Sequence, residues 1–187
     1  MMRAGLLVLA MALSGCVSDG TISDGAGDLS VVGSGGDGTL AGPGEVRRVC
    51  GRVRGTEVET APDTGRTRWR IIDTAPGSTA ARPQYITGFD DGCARQVNAA
   101  LVVFGTPAVH ETVRYAAGNG AAYSEIDTAY ERIKGRVCGV GARTPCPAGR
   151  MDRLTRRAAF VTIYPVFGGP AEVELLLDQG DLVAASR

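Results

Sequence analysis

Lysine, histidine and tryptophan each occur once in this chain of 187 residues, and aromatic residues make up only 5% of it. A single histidine, His110, leaves no H-E-x-x-H helix and no histidine-rich metal centre to build. The cysteines never fall in C-x-x-C spacing, which removes the usual marks of a zinc ribbon or a dithiol redox pair. No G-x-S-x-G elbow and no phosphate-binding glycine loop is present. No apolar run approaches the ~18 residues that a membrane-spanning helix needs. Charge of one sign is lacking too: 20 basic and 20 acidic residues give a formal net charge of zero. No cofactor and no metal is expected from this inventory.

What is present begins at the start of the chain. Met1-Met2-Arg3 is followed by the apolar stretch Ala4 to Leu13 and then by small residues. A basic start, a short apolar segment and small residues before a cut mark a secretory signal peptide. The sequence Leu13-Ser14-Gly15-Cys16 resembles the lipobox of bacterial lipoprotein precursors. That resemblance implies cleavage between Gly15 and Cys16, removal of residues 1–15, and acylation of Cys16 on its sulfur and its new amine. Each buried CH₂ of an acyl chain adds ~0.8 kcal/mol, so two or three chains hold a protein on a bilayer where one is marginal. The implied address is the cell envelope, facing the periplasm. Val17, rather than Asp, follows the cysteine, and the resemblance then implies the outer membrane. The alternative is an ordinary secretory signal with an incidental cysteine.

Residues 17–44 are rich in Gly, Ser and Asp and hold no aromatic residue. Such a composition cannot bury enough apolar surface to offset the entropy of ordering, so residues 16–44 read as a lipidated flexible tether. A glycine-rich coil of this length spans ~30 Å. Residues 45–187 are then one globular domain of ordinary size. Setting aside Arg3 and the tether acids Asp19, Asp24, Asp28 and Asp37 leaves 19 basic and 16 acidic residues in it, a formal +3. Arginines bunch at Arg47, Arg48, Arg52 and Arg54, at Arg66, Arg68 and Arg70, and at Arg150, Arg153, Arg156 and Arg157. They form either solvated faces or a patch for anionic lipid or acidic glycan. A nucleic-acid partner does not suit the envelope.

Beyond Cys16 stand four cysteines, Cys50, Cys93, Cys138 and Cys146. An even count in an exported chain argues for disulfides, and four cysteines allow three connectivities. The expected pairing is Cys138 with Cys146, across a short Gly- and Pro-containing loop, and Cys50 with Cys93, across a long one. Each bridge is worth ~2–4 kcal/mol.

Alternation of apolar and polar residues predicts strands over Arg47–Arg54, Thr67–Asp73, Tyr85–Phe89, Ala94–Phe104, Ala159–Tyr164, Ala171–Leu177 and Leu182–Ser186. In Ala94–Phe104 one face reads Val97, Ala99, Leu101 and Val103. Asp178-Gln179-Gly180 reads as a three-residue hairpin loop. Ser124 suits a helix N-cap, with Glu125 and Asp127 at the positive end of the dipole and Lys134 and Arg136 at the other. Ile126, Ala129, Tyr130, Ile133 and Val137 supply its apolar stripe. Pro107 opens a second helix to Tyr115, and a third lies near Arg150–Arg156. The fold class is α+β: a mainly antiparallel sheet, one or two helices packed on a face, a C-terminal β-meander and two disulfides.

Candidate chemistry is thin. His110 is the one residue suited to general acid–base work, but its neighbour Glu111 points elsewhere on a helix. No catalytic residue is therefore assigned. Asp90 and Asp91 read as a turn, the glycines Gly139 and Gly141 as a loop, and Trp69 and Tyr85 as core or ligand surface. The expected function is a membrane-anchored envelope lipoprotein with a non-catalytic binding domain for an envelope protein or glycan. The alternatives are a hydrolase of peptidoglycan or another glycan using His110, and an assembly factor of an envelope complex.

Overall fold

The structure, a computed structural model, describes residues 31–32, 41–42, 44–62, 65 and 68–187. The signal segment, Cys16 and most of the tether lie outside the described residues, as do Asp63, Thr64 and Arg66.

The fold is α+β, with two disulfides and two sheets. The strands of the first are β1 (Val31–Val32), β2 (Val46–Cys50), β3 (Thr56–Thr60), β4 (Arg70–Asp73), β5 (Arg82–Thr87) and β6 (Cys93–Ala99), in the order β1-β2-β6-β5-β4-β3. All its pairs are antiparallel except β1 with β2. The second sheet is an antiparallel meander of β7 (Leu101–Gly105), β8 (Ala158–Tyr164), β9 (Val173–Asp178) and β10 (Asp181–Ser186). Val31 and Val32 fall within the segment expected to be a tether, and Ala41 is buried, so contacts with the domain begin before Glu45.

The main core lies between the sheets. Val46, Trp69, Ile71, Ile86 and Val97 come from the first, and Val102, Val161, Ile163, Val173, Leu175 and Leu177 from the second. Burying each aliphatic side chain of this size is worth ~1.5–3 kcal/mol. Val46, one residue ahead of the expected first strand, is the β2 residue that enters this core.

The expected strand Ala94–Phe104 is two strands. The chain turns from one sheet to the other at Ala100, whose amide donates to the Tyr164 carbonyl at 2.9 Å. One residue spent at that corner shifts the alternation. Val97 and Ala99 face the core before it and Val102 after it, while Leu101 is left exposed. The hairpin loop also contracts: Asp178 pairs with Asp181, so only Gln179 and Gly180 turn, both at positive φ (47° and 92°), as a type I′ turn requires.

Three helices cover the outer face of the second sheet: α1 (Pro107–Arg114), α2 (Glu125–Cys138) and α3 (Ala148–Thr155). Ser124 caps α2 in a reciprocal capping box with Asp127, and Gly139 closes it in the left-handed region. The stripe Ile126, Ala129, Tyr130 and Ile133 packs on Phe160, Leu176 and Ala184. Both expected disulfides are present. Cys50 and Cys93 are cross-strand partners of β2 and β6 with Cα atoms 4.3 Å apart, and Cys138–Cys146 closes the loop after α2.

Candidate functional site

The helical layer does not cover the whole outer face of the second sheet, and where it stops an open cleft of about 350 Å³ remains. α1, the 119–122 segment, the N-terminal turn of α2 and strands β8 and β9 form its walls. His110 and Arg114 reach it from α1, Asp127 from α2, and Thr162 and Glu174 from the facing strands, with Val109 and Val113 along the rim.

Each position has a local cause. Thr106 caps α1 and Pro107 starts it, which sets His110 and Arg114 four residues apart on one side and Val109 and Val113 on the next. The His110 ring stacks on Phe160 at 4.3 Å between centroids and meets Tyr130 edge-on at 4.7 Å. Its Nε2 is 3.3 Å from Asp127 Oδ1, and Arg114 Nε is 3.5 Å from the same oxygen. Neither contact has hydrogen-bond geometry, so both nitrogens are buried without an acceptor. The other Asp127 oxygen accepts from the Ser124 amide at 2.9 Å and its hydroxyl at 3.1 Å. Arg114 also donates to the Ala121 carbonyl at 2.8 Å and lies 3.9 Å above the Tyr123 ring.

Burial pushes the His110 pKa below its ordinary value; Asp127 opposes the shift and Arg114 reinforces it. The imidazole is therefore neutral at pH 7. Glu174 moves the other way. Burial raises its carboxyl and the neighbouring Asp127 raises it further. Among the described residues no donor or cation pairs with that carboxylate.

Beneath the cleft runs a network of buried charge. Glu111, expected only to point away from His110, is buried and accepts from Tyr130 Oη at 2.8 Å and from the Cys146 amide at 3.0 Å. Lys134, expected at the negative end of the helix dipole, is fully buried there, its ammonium 2.7 Å from Glu131 and bonded to Tyr115 Oη. Glu131 also takes the Tyr115 hydroxyl at 2.5 Å and the Arg143 amide at 2.9 Å. These bonds fix α1 on α2 and tie both to the disulfide loop.

The other candidates resolve as structure. Asp91 lies in the turn before β6. Burial works against its charge, but Arg95, the Cys93 amide and Arg48 hold its pKa at about 2. Trp69 is core and Tyr85 is half-buried, accepting from Gln96. Four of the bunched arginines are engaged by partners within the domain: Arg48 with Asp91, Arg70 with Glu57, Arg157 with Asp178 and Arg150 with the Cys138 carbonyl. A second hollow of about 250 Å³ beside the start of α2 has only exposed charges, Glu125 and Arg132, in its lining. The His110 cleft is thus the stronger candidate. Sequence reading flagged His110 but not Glu174, whose one signal is a lone acid inside the apolar strand Val173–Leu177. Among the described residues no group of three or more His, Cys, Asp or Glu side chains is placed to hold a metal ion. The chain matches no protein-family model, no curated protein and no solved structure.

Proposed function

We propose that this chain is a lipid-anchored lipoprotein of the bacterial cell envelope, facing the periplasm and held at the outer membrane through Cys16. Its domain is a binding module, and the cleft beside α1 is its ligand seat. The anchor is supported by Leu13-Ser14-Gly15-Cys16 and by two disulfides, which suit an oxidising compartment. The binding reading is carried by one observation, the half-buried Glu174 carboxylate on the cleft wall, which has no partner among the described residues. Burial that disfavours the charge of a carboxylate facing a cleft supports reading the cleft as a ligand site.

A second reading, a peptidoglycan or glycan hydrolase, is favoured by the 3.3 Å approach of His110 Nε2 to Asp127. A titration with a soluble muropeptide digest separates the two. With one histidine in the chain, the His110 imidazole gives one unambiguous set of ring NMR signals. A saturable shift with the digest left intact supports the binding module. Turnover of the digest that stops in His110→Phe transfers the assignment to the hydrolase, and neither shift nor turnover overturns both.

A further inference from the structure

Resting on the reading of the domain as a binding module, we propose that the cleft takes a primary ammonium on an aliphatic stem beside a neutral oxygen acceptor. This is the chemistry of a lysine-type side chain in a peptide, with Glu174 as the counter-charge. Four features of the cleft carry this. Glu174 is half-buried and has no cation or donor among the described residues. Its nearest charged company is unbalanced: Asp127 and Glu174 bring two negative charges, Arg114 brings one positive, and His110 is neutral. A bound cation restores that balance beside a half-buried carboxylate.

The rim supplies the stem's partner. Val109 and Val113 are 60% and 64% exposed, one helical turn apart on α1, and together form an apolar rail along the opening. A tetramethylene chain laid along it buries apolar surface on both sides. The acceptor's partners are Arg114 Nε and, with the neutral ring protonated at Nε2, His110 Nε2, both buried and without a hydrogen bond. The Arg114 side chain is only 9% exposed, so bulk water does not satisfy it. Asp127 stands 3.3 and 3.5 Å from these nitrogens and repels an anion there, leaving a carbonyl or hydroxyl as the group that fits. A carboxylate ligand meets repulsion from both acids.

The test is an NMR titration of the full-length chain at fixed pH, followed at the His110 imidazole. The probes are Nα-acetyl-lysine methylamide, its Nε-acetylated counterpart and Nα-acetyl-glutamate methylamide. The lysine probe is expected to saturate at a concentration at least about tenfold below the other two. Glu174→Gln is expected to weaken it about tenfold. Glu57→Gln, at an exposed acid paired with Arg70, is expected to leave it unchanged. Equal or tighter binding of the acetylated or glutamate probe overturns the ammonium assignment, as does an unchanged lysine affinity in Glu174→Gln. Silence from all three probes also overturns it, and the muropeptide titration then judges the broader binding reading separately.

Discussion

Replacing Lys134 with Met tests the buried network that holds the cleft wall. The Lys134 side chain is 0% exposed and that of Glu131 9%, with 2.7 Å between Nζ and Oε2. The ammonium also lies 4.9 Å from the Tyr115 ring centroid and 6.0 Å from that of Tyr130. Removing one member of a buried pair costs ~3–5 kcal/mol, because the remaining charge stays desolvated. Here Glu131 keeps the Tyr115 hydroxyl and the Arg143 amide as donors. The lower end, ~3 kcal/mol, is therefore expected, which lowers Tm by ~6–12 °C in a domain of this size. Urea denaturation of the full-length chain measures it. Lys134→Met/Glu131→Gln should recover ~1 kcal/mol or more relative to the single variant, since it removes the stranded charge. Burial alone would raise the Glu131 carboxyl, but Lys134, Tyr115 and the Arg143 amide hold it below its ordinary value. Its contribution is present above the unfolded carboxylate range and is lost as pH falls through the folded value, so the gap between wild type and Lys134→Met narrows in acid. A single variant within ~0.5 kcal/mol of wild type refutes the reasoning, and so does a double variant weaker than the single.

Three further outcomes follow from the geometry. Glu174, raised by burial and by Asp127, binds its proton more tightly folded than unfolded and so removes stability as pH climbs past ~4.3. Glu174→Gln should be more stable than wild type at pH 8 and equal to it near pH 3.5, and a less stable variant at pH 8 contradicts this. Opening Cys50–Cys93, with its sequence separation of 43, should cost ~4 kcal/mol by loop entropy. Opening Cys138–Cys146, separated by 8, should cost ~2.5 kcal/mol plus whatever the Cys146 and Arg143 amides contribute through Glu111 and Glu131. A loss below ~1 kcal/mol for the second pair, each as double alanine variants, sinks the link between loop and network. Mass spectrometry of the mature protein should find acylated Cys16 as its first residue; an unmodified terminus elsewhere removes the anchor.

Local signals made much of the fold legible. Ser124 with Asp127 announced α2, Pro107 announced α1, and the even cysteine count announced both bridges. Features set by long-range contact were not legible. β3, Thr-Glu-Val-Glu-Thr, has no apolar alternation to show, and part of its hold is the Phe104 amide donating to Glu59 at 3.3 Å. The division at Ala100 is hidden because apolar residues continue through the corner, and only the second sheet reveals that their faces have exchanged. At the site, His110 drew notice by being alone, whereas Asp127 looked sufficiently explained as a charge at the positive end of the helix dipole. Glu174 gains meaning only once β9 lies beside α1 and α2, since its shift comes from burial and from a residue 47 positions away.

Because β6 passes into β7 through Ala100, the two sheets share one continuous run of backbone, pinned at the bend by the Tyr164 carbonyl. Neither sheet can slide over the other without breaking that corner. Strands β8 and β9, which carry Thr162 and Glu174, therefore behave as a fixed jaw. α1 is eight residues long and is held below by Glu111, while its valines face solvent. It is braced as well, through Tyr130 and the Cys146 amide, so the cleft opens between two walls that are set before a ligand arrives.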